Sequence, residues 1–501
     1  MAIETELKLR IAPENMARLK RHPFLRSLSS GRATTRKIYS VYLDTTDLQL
    51  HHQRMALRLR RIGSQWFQTL KGGGGVQAGL HQRNEWETPV ESECLNFALL
   101  DEIGATPLPE HLPQNIQPIF VTDFNRSIRL LKFEGALIEM GLDSGEIRAG
   151  NSKHPISEVE LELKSGEPLR LFRLALNLLD IVPLEIEITS KAEYGYRLHS
   201  PFSPILTKVQ IPKFKRHTPV KVALQNTIWA CLSHLQANVP GAINKTGAEY
   251  LHQIRISLRR LRVVLNLAKI LCADEELDSL HDHVRKLGNE LGRSREWDVF
   301  ATEILPAIYR DKNNDAYSGQ QALARESEKH RQLSHQQVST TLQSIDFQRL
   351  LLRFGAWLNG DYWKEFTYSG NLQDYSEKIL RKYTQKAIER GNRINEVETR
   401  EHLHKLRIAC KNLRYCAELF IINPRKNQIK LLVKLQDILG ALNDNAVALQ
   451  LLDELRKNTT TDNISLIKKH ILSNHTFHLK AFHIKWEHFI KLTDDSNLTN
   501  S

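Results

Sequence analysis

Residues Ile3–Ile11 read I-E-T-E-L-K-L-R-I, with Glu4, Glu6, Lys8 and Arg10 on one alternation and Ile3, Leu7, Leu9 and Ile11 on the other. Side chains two apart on a strand point the same way, so this segment carries a charged face and an apolar one. A single strand of this kind is ordinarily half-buried with its charges in water. The pattern recurs, however. Arg58 and Arg60 share a face in LRLRR, as do Arg83, Glu85 and Glu87 in RNEWE, and Glu158, Glu160, Glu162 and Lys164 in SEVELELK. Solvated strands use Thr, Ser, Gln and lone Lys more than stacked Glu. If the sheet closes with these faces inward, its lumen is a polar tunnel of mixed charge. The apolar exterior then needs covering helices, and Pro168–Ile181 is a candidate. Clustered carboxylates suit hard divalent cations and clustered Lys and Arg suit phosphate oxygens, so the lumen points to a metal–polyphosphate substrate.

Further period-two runs (KIYSVYLDT, QWFQTLK, ALIEMGLDS) extend this texture to about residue 200. Pro201, Pro204, Pro212 and Pro219 mark a linker over 201–219, and beyond it the pattern is helical nearly to Lys491, ahead of a polar tail over 491–501. The expected organisation is an α+β two-domain protein: an antiparallel β-barrel with covering helices over 1–200 and an all-α domain over 220–490. A length of 501 residues accommodates both. Residues 1–200 hold 25 basic and 25 acidic side chains, so the remaining 45 basic and 32 acidic ones carry the whole net charge of +13. That asymmetry predicts a polyanionic partner for the helical part. No apolar run approaches a membrane span, and the N-terminal MAIETELKLR has no apolar segment to act as a secretory signal. Five scattered cysteines without a CxxC argue against a zinc site or disulfide framework and for a cytoplasmic location.

Glu4-x-Glu6-x-Lys8 resembles the ExExK signature of the CYTH domain, the triphosphate tunnel metalloenzymes. Further elements follow in that family's order: Tyr42-Leu-Asp-Thr, Leu57-Arg-Leu-Arg60, Thr69-Leu-Lys71, Arg83-x-Glu85-x-Glu87, Phe124-x-Arg126 and Glu158-x-Glu160-x-Glu162. Gly79-Leu-His-Gln-Arg83, Asp143-Ser-Gly-Glu-Ile and Ser190-Lys191-Ala are similar to the bacterial inorganic triphosphatases. The resemblance implies an eight-stranded antiparallel tunnel that hydrolyses a terminal phosphoanhydride with Mg²⁺ or Mn²⁺. Carried over by position, Glu4, Glu6, Glu85, Glu87, Asp143, Glu160 and Glu162 are the metal candidates, and Glu4, Glu6, Lys8, Glu85 and Glu87 the catalytic ones. Lys8, Arg58, Arg60, Lys71, Arg83, Arg126 and Lys191 would hold the phosphoryl groups. Tyr42 and Asp44 read as packing residues that pin the second strand. The Gly72–Gly75 run lacks the GK[ST] ending of a P-loop and reads as a flexible connector between strands, suited to a lid at the tunnel mouth.

The helical part contains a repeat. His252-x-x-Arg255-x-x-x-Arg259-x-x-Arg262 recurs 152 residues later as His404-x-x-Arg407-x-x-x-Lys411-x-x-Arg414. Increments of 3, 4 and 3 place each set on one helix face. A second pair follows, Leu291-Gly292-x-x-Arg295-Glu296 and Leu439-Gly440-x-x-Asn443-Asp444. Two such faces related by a pseudo-twofold axis would meet in one basic cavity. The pattern resembles the CHAD domain, which implies two pseudo-symmetric four-helix bundles and affinity for inorganic polyphosphate through those eight residues. Lys411 departs from the Arg of the first copy and cannot form the bidentate phosphate fork.

These readings make inorganic tripolyphosphate the expected substrate and inorganic polyphosphate the expected partner of the helical domain. A class IV adenylate cyclase or an organic (thiamine, nucleoside or RNA) triphosphatase shares the tunnel, and a non-catalytic polyphosphate scaffold is the third reading. Retention of Glu or a basic residue in each tunnel element counts against that scaffold. Nucleic acid is disfavoured because the basic half lacks interleaved aromatics.

Overall fold

The structure, a computed structural model, describes residues 2–77, 79–102, 112–200, 206–244, 247–309, 320–366, 370–396, 398–419, 426–455 and 461–498, with the single residues 104, 108 and 368. Pro201 and Pro204 of the expected linker and the last three residues of the polar tail lie outside them. Two units emerge: Met1–Ile205 with Gln343–Glu365, and Leu206–Leu342 with Phe366–Ser501.

Among the described residues the first unit holds nine strands: β1 (Ala2–Ile11), β2 (Thr34–Asp44), β3 (Ala56–Ile62), β4 (Gln65–Gln77), β5 (Leu80–Val90), β6 (Gln117–Phe133), β7 (Ala136–Ala149), β8 (Ser152–Ser165) and β9 (Leu184–Ile186). Their order is β5-β4-β3-β2-β6-β7-β8-β1-β9, and β1 also pairs with β5. That last pairing closes eight antiparallel strands into the expected barrel. β1 is the seam: Ala2–Leu7 face β5, Glu6–Arg10 face β8, and Leu9–Ile11 take β9. The alternation of Ile3–Ile11 resolves as read, with Leu7, Leu9 and Ile11 at 0–1% exposure on the outer side. Helix Leu169–Ile181 covers that side, burying Leu171, Phe172, Leu174 and Leu178 at helical spacing. Pro168 is its N-cap residue rather than its first turn.

A second cover comes from the middle of the stretch expected to be the all-α domain. Helix Ile345–Leu358 belongs to the barrel unit. It packs on Leu169–Ile181 so closely that a Cβ on Gly355 would lie 2.1 Å from the Phe172 ring. The backbone N–H of Ile186 donates to Gln348 Oε1 at 3.0 Å, which gives the free edge of β9 a partner.

The Gly72–Gly75 run corrects an expectation. It lies inside β4, not between strands, at a register shift against β5. Gly74 sits at φ +73°, and a Cβ there would meet Gln82 O at 1.8 Å, so the run is a glycine-only bulge of the barrel wall.

The second unit is helical. Val220–Ile243, Ala248–Leu271, Glu275–Val299 and Gln320–Leu342 pack as one four-helix set, and Leu372–Glu396, Arg400–Leu419, Lys426–Leu455 and Thr461–Leu498 as another. The last helix continues through Leu498 where a frayed tail was expected from 491; Thr493 Oγ1 donates back to Phe489 O within it. Helices Ala248–Leu271 and Arg400–Leu419, which carry the two copies of the repeat, meet where Arg259 Nε donates to the Tyr415 hydroxyl at 3.1 Å and Arg260 pairs with Glu418 at 2.6 Å.

Candidate functional site

Closure brings the charged faces of the strands together. Cross-strand pairing sets Lys8 opposite Glu160, Asp143 opposite Glu158, Arg126 opposite Asp143, and Lys71 opposite Glu85. Asp143, Glu158 and Glu160 are buried, with one carboxylate oxygen from each within 4.8 Å of the others. Lys191, at the start of helix Lys191–His199, reaches all three at 2.6–2.8 Å. Arg126 clamps Asp143 with two hydrogen bonds of 2.7 and 2.6 Å and also pairs with Glu160. Lys8 Nζ lies 2.6 Å from Glu160 and 2.9 Å from Glu6. Toward the other side, Lys71 bridges Glu4 at 2.5 Å and Glu85 at 3.2 Å, and Arg58 reaches Glu85 at 3.2 Å.

The electrostatics follow from this crowding. Burial works against the charge on Glu160, but Arg126, Lys191 and Lys8 outweigh it and hold the carboxyl well below its usual range. Asp143 is depressed against its own burial by Arg126 and Lys191. Glu158 moves the other way, because its burial exceeds what Lys191 offsets. Arg60 stands out among the cations. It has no carboxylate partner among the described residues, its buried Nε is unsatisfied, and burial together with Arg58 pushes it down to about 10. Arg83 also lines the lumen without a carboxylate partner among the described residues. Side chains leave only about 60 Å³ of free lumen.

Two metal candidates stand apart from the buried triad. Glu87 is exposed and accepts from Thr69 Oγ1 at 2.9 Å, and Glu162 is partly exposed and pairs with Lys164 at 2.6 Å. Glu158, absent from the candidates named from the sequence, completes the triad in their place. Three buried carboxylates within that span are the oxygen-donor chemistry a hard divalent cation takes. Asp44 and Tyr42, both expected to pack, divide. Asp44 is fully buried and accepts the backbone N–H groups of Thr45, Leu50 and His51 and the Tyr196 hydroxyl, whereas Tyr42 lines the lumen.

In the helical unit the repeat forms a cavity of about 1140 Å³. His252, Arg255, Arg259, His404, Arg407 and Lys411 line it, with Glu296 and Asp444 at their equivalent places. Arg262 and Arg414 do not line it. Burial and Arg285 depress Arg262, and Arg414 is committed to Glu418 at 2.6 Å and Gln436 at 3.1 Å. The cavity is short of negative charge. Burial and Arg259 push Arg255 down to about 10; burial with Arg407 and Arg259 pushes Lys411 down to about 6; burial and Arg295 push His252 down to about 4. The repeated glycines differ: a Cβ on Gly292 would lie 3.2 Å from Arg255 Nη1, while Gly440 has open space. Arg255 uses that approach to donate to Gly288 O at 3.0 Å. Arg400, Glu398 and His475 also line this cavity and carry no repeat signal in the sequence.

Comparison with known proteins agrees with the two-domain organisation. An inorganic triphosphatase of Haemophilus influenzae is 37% identical over 205 residues, which are 40% of this chain and 56% of that protein. The chain thus spans little more than half the length of this relative. The crystal structure of the CHAD domain from the plant Ricinus communis matches at 26% identity and a TM-score of 0.50, covering 56% of this chain and 96% of that one. Residues 2–196 match the model of the CYTH domain and residues 226–453 that of the CHAD domain. The chain is a CYTH domain followed by a CHAD domain.

Proposed function

We propose that the barrel hydrolyses inorganic tripolyphosphate to pyrophosphate and phosphate with Mg²⁺ or Mn²⁺, and that the helical unit binds inorganic polyphosphate. The observation that carries the first half is Arg60, a partly buried side chain whose buried Nε is unsatisfied and which has no carboxylate partner among the described residues, in a lumen whose other cations are largely paired. A phosphoryl oxygen supplies what Arg60 lacks. Arg83 offers a second such position, and Lys8, Lys71, Arg58 and Arg126 can exchange a carboxylate for phosphate as the chain enters. Asp143, Glu158 and Glu160, with Glu4 and Glu6, would hold the metal, which neutralises phosphoryl charge and acidifies a water. The residues themselves bind and align the chain of phosphates and exclude bulk water. The relative named an inorganic triphosphatase supports this substrate class. Free cysteines, three of them buried, suit a reducing cytoplasm, and among the described residues no helix is long and apolar enough to cross a membrane.

Substrate choice tests the proposal. The lumen is lined by Lys8, Arg58, Arg60, Lys71, Arg83 and Arg126, groups that match phosphoryl charge and offer little to a base or sugar. We expect kcat/KM for tripolyphosphate to exceed that for ATP by more than ~100-fold in a phosphate-release assay. Comparable values would place the protein with the nucleotide-directed enzymes.

Polyphosphate binding by the helical unit is expected to depend on pH through Lys411. At about 6, its ammonium is mostly neutral at pH 7.5, and a bound polyanion favours the protonated form. Binding therefore takes up a proton between pH 6 and the raised pKa of the bound state, and affinity falls as pH rises through that window, by at most about tenfold per unit. Below pH 6 the dependence fades. Lys411→Arg removes this part of the dependence, and an unchanged pH profile in that variant contradicts it.

A further inference from the structure

The six cations of the repeat account for only part of the cavity in the helical unit. They come from helices Ala248–Leu271 and Arg400–Leu419. Another wall of the same space is apolar, lined by Val299, Ile304, Val447, Leu449 and Leu472. Val299 ends helix Glu275–Val299, and Ile304 closes the five-residue π-helical turn Phe300–Ile304 that follows it. That turn sends Phe300 into the core at 0% exposure and leaves Ile304 only partly covered, a kind of local widening common at functional sites. Ile304, Val447 and Leu449 all flank one buried cluster that includes Trp297, Ile467 and Ile471, so the wall is continuous. Leu472, next to Ile471, extends it at 53% exposure.

An inorganic phosphate chain is charged along its whole length. It satisfies the cations but gains nothing from five aliphatic side chains, against which its oxygens would lose water without compensation. Resting on the polyphosphate-binding reading of the helical unit, we propose that this cavity takes nucleoside polyphosphates, with the phosphates on the repeated cations and the nucleoside against the apolar wall. The faces of a nucleobase are uncharged and largely apolar, and covering them with aliphatic carbon is favourable in proportion to the area hidden. The edges of a base need hydrogen-bond partners. Arg400 Nη2 donates to Gln450 Oε1 at 2.9 Å, which sets a polar pair lining the cavity at the residue after Leu449. The Gln450 amide nitrogen and the remaining Arg400 donors suit ring nitrogens and carbonyls, whereas a plain hydrocarbon chain would strand them. A volume of about 1140 Å³ is ample, since small-molecule sites usually occupy ~300–1,000 Å³.

The test uses the full chain in chelator, so that the barrel consumes neither competitor, and follows displacement of labelled long-chain polyphosphate by ATP or by tripolyphosphate. Only the part of the signal abolished by changing Arg255 and Arg407 to Gln is counted. Both competitors carry three phosphoryl groups, and tripolyphosphate carries at least as much charge, so electrostatics alone never favours ATP. We expect ATP to displace the polymer at ~10-fold lower concentration, as for burial of one additional apolar group. Leu449→Gln with Leu472→Gln is expected to cut that advantage to within twofold while polyphosphate affinity stays within about threefold. Leu472→Gln alone, on a half-exposed side chain that the fold does not depend on, is expected to remove at least threefold of it. Tripolyphosphate that competes as well as ATP overturns this assignment alone, because polyphosphate is still bound. An ATP advantage that survives Leu472→Gln with Tm unchanged also overturns it, and so does geranyl diphosphate competing better than ATP. A wild-type protein that binds no long-chain polyphosphate at low salt overturns the polyphosphate reading and this one together.

Discussion

Replacing Glu160 by Gln is expected to lower kcat for tripolyphosphate by about a thousandfold, roughly 4 kcal/mol, while the barrel stays folded. Glu160 is where the lumen's charges converge: Lys8, Arg126 and Lys191 all reach it, and it belongs to the buried carboxylate triad. Gln keeps the volume and one acceptor oxygen but removes the charge that a divalent cation needs. The neighbouring cations retain Asp143, Glu158 and Glu6 as partners, so the fold loses less than the chemistry does. Phosphate release at saturating substrate and Mg²⁺, with circular dichroism on the same sample, measures both. Turnover within tenfold of wild type removes Glu160 from the metal site. Chelation of divalent cations in the wild-type enzyme is expected to abolish turnover, with recovery on adding Mg²⁺ or Mn²⁺.

The second large effect belongs to the helical unit. Changing Arg255, Arg259, Arg407 and Lys411 together to Gln is expected to weaken binding of long-chain polyphosphate at low salt by at least ~100-fold. The salt dependence also becomes shallower, because fewer counterions are released per complex. Only the sign of that relation carries over from DNA. Changing Arg262 and Arg414 to Gln is the matched control, and affinity is expected to stay within about threefold, since neither lines the cavity. Titrations in chelator keep the polyphosphate intact. Tripolyphosphate turnover in the fourfold variant is expected to match wild type, its tunnel residues being untouched. Equal losses in the two variants would mean that diffuse surface charge, not the cavity, holds the polyanion.

Much of this was legible in the amino-acid sequence because both sites depend on periodicity. A tunnel inverts the usual strand, and stacked Glu and Arg on alternate positions of β1, β3, β5 and β8 betray the inversion. The repeat at increments of 3, 4 and 3 likewise selects a helix face without reference to structure. What periodicity cannot supply is depth. Glu158, Glu160 and Glu162 share one face of β8, yet the first two are buried and the last pairs near solvent with Lys164. Arg262 shares its face with His252, but ten residues of helix carry it about 15 Å along the axis and out of the cavity. The glycines of 72–75 look like a flexible connector in sequence and prove to be a bulge, because only the partner strand shows what a Cβ would strike. Helix Ile345–Leu358 has an unmistakable apolar stripe, but a stripe does not name the surface it will cover.

That helix sets a timetable for the nascent chain. The last barrel strand ends at Ile186, and the helix that lies on Phe172 and satisfies the Ile186 N–H ends at Leu358. At ~5–20 residues per second, the ribosome adds the intervening segment in roughly 10–35 seconds. Throughout that interval the apolar flank of Leu169–Ile181 waits for a partner still being made, while the first four helices of the second unit are already available to fold. The first unit therefore waits until the first half of the second has been made, and a chain cut at the proline-rich junction would leave that flank without this cover.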